Sequence, residues 1–307
     1  MTDPEANLVD AITLADAFNL IPVLNAVTFA RVRLLSTSDL IDGLANPELP
    51  GDYSLIKVLR ERKLTDTDRA HLADVVEGCL SDDFRIQVPT RRRGRLSRLL
   101  PHVAGLLDEA RAHEIARRLT LHRLTTIRAG AMKTLRRLSP SSDDVAVLRS
   151  ALDEYREIDA VFLLARIPDS LTGYTCCQLA PIAERGGDSY YGAIVIERLA
   201  RDNALDHTHA AHEHPFYYLR AVGRLGDRGL LKHVRDRIPI EDPEFLSLAA
   251  SVAGRVGDAH LITLVETRVR EMLANGSWEY HALLDLLRRF PGQIDQTITN
   301  TLPSSDA

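Results

Sequence analysis

Three observations make an all-α chain, an α-solenoid of stacked antiparallel helix pairs, the fold class that this sequence predicts. First, Gly223-Arg224-Leu225-Gly226-Asp227 recurs 31 residues later as Gly254-Arg255-Val256-Gly257-Asp258. The apolar residues that follow also correspond: Leu230 with Leu261, Leu231 with Ile262, Val234 with Val265 and Ile238 with Val269. Second, each copy ends in Gly-Asp, which stops one helix through a left-handed glycine and starts the next through a capping carboxylate. Third, apolar residues recur at helical spacing, and no alternating run is followed by a hairpin signal.

The elements follow in order. Residues 1–88 are expected to form a divergent N-terminal helical capping region, with helices in LVDAITLADAFNLIPVLNAV and YSLIKVLRERKL separated by the loop NPELPGD. RIQVPT, residues 85–90, reads as a connector. Residues 89–300 are expected to form the repeat array. Arg137-Leu138, Arg166-Ile167, Arg198-Leu199 and Arg289-Phe290 are looser copies of the Arg-plus-apolar step, at a period of about 30. Pro215 opens a helix over YYLRAVGRL, and Asp227 caps a second over RGLLKHVRDRI. Asp242-Pro243 opens the next, whose Leu246, Ala249, Ala250, Ala253 and Val256 share a face, and Asp258 caps AHLITLVETRVREML. Leu230 and Val265 are expected in the core shared between repeats. Residues 301–307 are expected to be a polar, flexible tail.

From about Arg137 to Phe290 this pattern resembles the short HEAT-like repeats of bacterial proteins, including those related to phycobilin lyases. The resemblance implies a scaffold that binds a partner along its surface. Neither the T-P-L-H of ankyrin repeats nor the Trp-Leu-Gly-Tyr pattern of tetratricopeptide repeats stands in the matching places. Bilin attachment has no local chemical support.

With 45% apolar and 26% charged residues, the chain is too apolar for a disordered protein. It begins with Asp3, Glu5 and Asp10 where a secretory signal would carry positive charge, and it has no 18-residue apolar run. The expectation is a cytoplasmic chain without membrane contact. Cys79, Cys176 and Cys177 are its three cysteines, and the adjacent pair does not readily form an ordinary disulfide, so they read as reduced packing residues.

Charge is uneven. The net charge is −5, yet residues 91–137 hold 13 Arg/Lys against 3 acids. Arg91, Arg92, Arg93, Arg95, Arg98, Arg117, Arg118, Arg123 and Arg128 are therefore the candidate binding residues, continued by Lys133, Arg136 and Arg137. Guanidiniums in such a row suit a phosphate backbone or an acidic protein equally, and a solvated face without a partner, supplied by a general arginine bias, is the third reading. No aromatic residue lies between Arg91 and Arg137, which favours duplex over unpaired bases as the nucleic-acid target.

Asp206-His207-Thr208-His209-Ala210-Ala211-His212-Glu213-His214 gathers four of the 11 histidines between two expected helices. It matches no defined metal signature and reads as a solvent-facing connector, with no metal and no cofactor expected. One member of each pair Tyr190-Tyr191 and Tyr217-Tyr218 must face inward, and Trp278 and Tyr280 are expected to cover the last repeat's core. No Gly-x-Ser-x-Gly elbow or His-Glu-x-x-His helix nominates a catalytic residue. The function expected is that of an interaction scaffold binding a protein partner, in an oligomeric state the sequence leaves open. The alternative is duplex nucleic-acid binding through 91–137. HEAT-like alkylpurine DNA glycosylases share the architecture, but they grip DNA with tryptophans and a catalytic aspartate, and this chain's one tryptophan is Trp278.

Overall fold

The structure, a computed structural model, describes residues 21–46, 52–185, 189–239 and 241–275. All regular structure among them is helical. The chain divides into two compact units, residues 1–163 and 164–307.

In the first unit the helices are α1 (Ile21–Leu34), α2 (Thr37–Gly43), α3 (Asp52–Glu61), α4 (Asp66–Leu80), α5 (Thr90–Ala104), α6 (Glu109–Thr120), α7 (Thr125–Leu138) and α8 (Val145–Tyr155). A short helix, α9 (Ile158–Leu164), runs to the boundary. Starts are chemically marked. Ser36 with Asp39 and Thr65 with Asp68 form reciprocal capping boxes, and Asp108 accepts the Arg111 amide at 2.8 Å. Odd-numbered helices pack on one another, α1 on α3, α3 on α5 and α5 on α7. Even-numbered ones do the same from α2 to α8, and α4 packs on α5 as α6 packs on α7. At the α5–α7 crossing a Cβ on Gly130 would stand 2.1 Å from the Ser97 carbonyl oxygen, so the two backbones meet where only glycine fits. Leu72, Leu96, Leu100, Ile115 and Ile127 fill the space between the layers.

The second unit contains α10 (Cys176–Glu184), α11 (Ser189–Arg201), α12 (His207–Glu213), α13 (Pro215–Leu225), two 3-10 turns (Arg228–His233 and Arg235–Arg237), α14 (Pro243–Val256) and α15 (Ala259–Ala274). Here α11 packs on α13, α13 on α14 and α14 on α15, while α12 packs on α13 and on the first 3-10 turn. Gly226 and Gly257 end α13 and α14 at φ +70° and +65°, as the repeated Gly-Asp predicts. Asp242 accepts the Glu244 amide at 2.8 Å ahead of Pro243, and Asp258 accepts the Leu261 amide at 2.9 Å.

Several expectations change. RGLLKHVRDRI is not an α-helix, because Gly229 in its first turn and Pro239 at its end leave too short a run to propagate one. With about three residues per turn instead of 3.6, burial moves from Leu230, which is half-buried, to Leu231 and Val234. Val265 is fully buried, as expected. Residues 207–213 are a helix capped by Asp206 instead of a connector. α4 and α5 pack directly on each other across the 85–89 connector. Residues 8–20, most of the NPELPGD loop, Trp278, Tyr280, Arg289, Phe290 and the tail lie outside the described residues. Among the described residues no helix is long and apolar enough to cross a membrane.

Candidate functional site

The nine arginines of the basic segment have three different fates. Arg92, Arg93 and Arg128 are buried. Arg92 donates to the carbonyls of Gly43 and Leu44, which the end of α2 leaves unpaired. Arg93 donates to the Cys79 and Val88 carbonyls and lies 3.5 Å above the Phe84 ring. Arg128 donates to Glu157 at 2.7 Å and to the His122 and Arg123 carbonyls, and it stacks on Tyr155. These three are not surface cations, because long arginine stems can carry a fork to buried carbonyls far along the chain.

Arg117 and Arg118 are surrendered to carboxylates. The Arg117 Nε lies 3.0 Å from an oxygen of the fully buried Asp144, in an electrostatic contact without hydrogen-bond alignment, and His113 approaches the same carboxylate at 3.6 Å. Arg118 pairs with Glu77 and Glu114, as does Arg111. The Arg111 hydrogen bond is the main reason that the Glu114 carboxyl titrates below its ordinary range. Arg91, Arg95, Arg98 and Arg123 remain exposed. Arg123 sits 5.1 Å over the Phe84 ring and 4.0 Å from Asp82.

Arg137, at the end of the basic segment, joins the exposed set with two groups that the arginine row did not point to, the exposed Arg60 and the half-buried His102. Arg60 of α3 and Arg137 of α7 converge on His102 of α5, their terminal nitrogens 3.2 Å and 3.4 Å from the same Nδ1. Burial, and then these two cations, lower the His102 pKa. Tyr53, 63% exposed, stands edge-on to the His102 ring.

In the second unit, α13 and α14 frame a groove of about 690 Å³. Phe216 and Leu248 give it apolar lining, Ser247 and Ser251 lie one turn apart on α14, and Arg224 and Arg255 stand at its edge. The two arginines occupy matching positions of the repeated pentapeptide. Arg224 is held by Glu197 of α11. A hollow of about 420 Å³ shares Phe216 and Glu244 and continues the groove along Phe245, whose ring meets Phe216 edge to face at 5.0 Å. Arg220 and Glu244 also line the groove, so its walls mix apolar side chains with charged ones at a volume within the range of ligand and peptide sites.

The histidines of α12 diverge. His207 bonds the Tyr218 hydroxyl at 2.9 Å and stacks on His233, whereas His212 turns to Glu213. Burial, followed by His233, lowers the His207 pKa. Tyr218 is the inward member of its pair. His209 Nε2 lies 2.9 Å from Cys177 Sγ, a pairing that 32 residues of separation hid from local spacing. Cys79 and Cys176 are buried and Cys177 is half-buried, all three as free thiols. Burial pushes the Cys79 thiol up to about 11. Among the described residues no three His, Cys, Asp or Glu side chains are arranged to hold a metal ion.

No protein-family model matches the chain, and neither a curated protein nor a solved structure matches it.

Proposed function

We propose that the chain is an interaction module of stacked HEAT-like helical repeats, and that its second unit seats an extended acidic segment of a partner protein between α13 and α14. The groove carries this reading: three arginines, Arg220, Arg224 and Arg255, line it against one acid, Glu244, together with Phe216, Leu248 and two serine hydroxyls, and Glu197 holds Arg224 in place. Apolar anchors supply affinity and flanking charges supply orientation and rate, which is the division of labour expected of a peptide site. The stacked-repeat reading is supported by packing that joins helices adjacent or next but one in the chain within each unit. It is also supported by the repeated pentapeptide, which ends α13 and α14 in the same backbone conformation.

Fluorescence anisotropy with labelled peptides that alternate leucine and glutamate tests the reading. Wild type is expected to bind, and Arg255→Glu combined with Ser251→Glu to weaken binding at least about tenfold, the effect of roughly 1.4 kcal/mol. Equal binding by the double variant, or no binding by wild type, would remove the groove as the site.

A further inference from the structure

The cations of the first unit are sorted by layer. On α4, α6 and the loop after α4, Arg85, Arg111, Arg117 and Arg118 each lie within 4.0 Å of a carboxylate. Five arginines of α3, α5 and α7 show the opposite, although Arg128 of α7 meets Glu157 on its buried side and Lys133 and Arg136 act on Asp159. Among the described residues no carboxylate lies within 4.0 Å of Arg60, Arg91, Arg95, Arg98 or Arg137; their polar contacts are to Gly94 and Pro101 carbonyls and to His102. For α4 to α7 this follows from the sequence, because α6 carries Glu114 beside its own arginines and α4 carries Asp74 and Glu77, whereas Thr90–Ala104 and Thr125–Leu138 contain no acid; on α3, the Glu61 beside Arg60 is taken by Arg33 of α1.

The geometry is ordered as well. Arg91, Arg95, Arg98 and His102 stand at i, i+4, i+7 and i+11, one outward face of α5 about 16 Å long at 1.5 Å per residue. Arg92, Arg93, Leu96, Ser97 and Leu100 turn inward, so the register of this face is fixed by what the opposite side buries. Neighbouring α3 and α7 bring Arg60 and Arg137 to its far end, where both guanidiniums face one imidazole nitrogen. Like charges held this close in exposed positions lower their mutual repulsion by taking an anion between them.

We infer that the outward face of α3, α5 and α7 binds the phosphate backbone of duplex nucleic acid, with Arg60, His102 and Arg137 receiving one phosphate and Arg91, Arg95 and Arg98 receiving its neighbours. Arginine forks match phosphate oxygens two at a time. The large exposed hydrophobic side chains among the described residues are Leu34 and Tyr53, and Tyr53 alone adjoins this face, too little apolar surface to anchor a docked peptide or a membrane. One ring, Tyr53, is too few for the stacking platform that unpaired bases use. A regular row of charges needs neither. The site is separate from the α13–α14 groove and does not depend on it.

The test is anisotropy of a short labelled duplex of arbitrary sequence with the full chain, titrated from 50 to 200 mM salt. Neutralising about four phosphates gives a slope of about −3.6 in log affinity against log salt, a loss of about 150-fold across this range. Arg95→Glu with Arg98→Glu, both exposed and outside the core, is expected to weaken binding at least a hundredfold at the lower salt. Arg85→Gln, which removes a charge from the neutralised layer, and Arg255→Glu, which alters the groove, are expected to leave it within twofold. Absence of wild-type binding at 50 mM salt, full binding by the Arg95/Arg98 variant, or equal affinity for polyglutamate of matched charge would each overturn the inference. Because the groove is altered at Arg255 in both titrations, here alone and in the peptide titration together with Ser251→Glu, failure of one site is distinguishable from failure of the other.

Discussion

Two copies of one pentapeptide lead into different structures. After Gly223-Arg224-Leu225-Gly226-Asp227 the chain makes 3-10 turns, and after Gly254-Arg255-Val256-Gly257-Asp258 it makes the regular helix α15. The glycines adopt the same left-handed conformation, and both aspartates cap. Beyond the cap the surroundings diverge. Asp227 is exposed and, among the described residues, accepts the Gly229 amide alone, at 2.8 Å. Asp258 is buried and accepts, besides the Leu261 amide, Arg228 and Arg235 at 3.0 Å each. Those arginines come from the 3-10 turns themselves, so the irregular segment of one copy neutralises the capping charge of the next. A repeated motif thus dictates where helices end, while the residues between copies decide what form the next element takes and how deeply its cap is buried.

The largest expected contrast lies in the cores. Leu261→Ala should cost about 2–5 kcal/mol, as the loss of a fully buried side chain does, whereas Leu230→Ala, at the matching but half-buried position, should cost less than about 1.5 kcal/mol. Chemical denaturation of both variants measures this, and equal costs would mean that the two segments share one register after all.

Next come the caps. Asp258→Ala should cost about 2–3 kcal/mol, a cap plus two arginines deprived of their partner, discounted because Arg228 is 61% exposed. Asp227→Ala should cost about 1 kcal/mol. A thermal melt in which Asp227 proves the more costly residue would reverse the comparison. Gly226→Ala should cost about 1–2 kcal/mol through the left-handed backbone alone, since no atom lies within 4 Å of a Cβ placed there, and Gly257→Ala, at the same backbone conformation, at least as much.

The smallest effect is a pH dependence. Burial alone would raise the Asp258 pKa, but the Leu261 amide, the Arg228 hydrogen bond and Arg235 outweigh it and hold the carboxyl below its ordinary range. A depressed folded value means that this stabilisation is complete above the unfolded pKa of about 3.9 and is lost as pH falls from there through the folded value. The stability gap between wild type and Asp258→Asn should therefore be constant from pH 7 to 5 and shrink below 4. A gap that widens on acidification would show that Asp258 is not the ionised partner of these arginines.

What could be read from the sequence follows the range of the interactions. Gly226, Asp227, Asp242, Pro243, Gly257 and Asp258 act on amides within a turn or two, so their roles were visible in local order. The 3-10 turns were not, because the matched apolar positions after Asp227 outvoted Gly229 and Pro239. Long-range partners were hidden for a different reason. Arg92 reaches Leu44, Arg118 reaches Glu77 and Cys177 reaches His209 across 48, 41 and 32 residues. A row of arginines therefore appeared uniform in sequence, although part of it is buried, part neutralised and part left facing out. Arg60 and His102 entered the candidate site only when α3, α5 and α7 were seen to lie side by side.

Hydrogen exchange on the full chain carrying Leu261→Ala tests the stacked-repeat account most directly. If each element is stabilised chiefly by its neighbours along the chain, amides of α14 and α15 should lose protection strongly, those of α13 less, and those of α5 to α7 not at all. Equal loss of protection in α5 to α7 would show one cooperative core in place of stacked repeats, and would contradict the account.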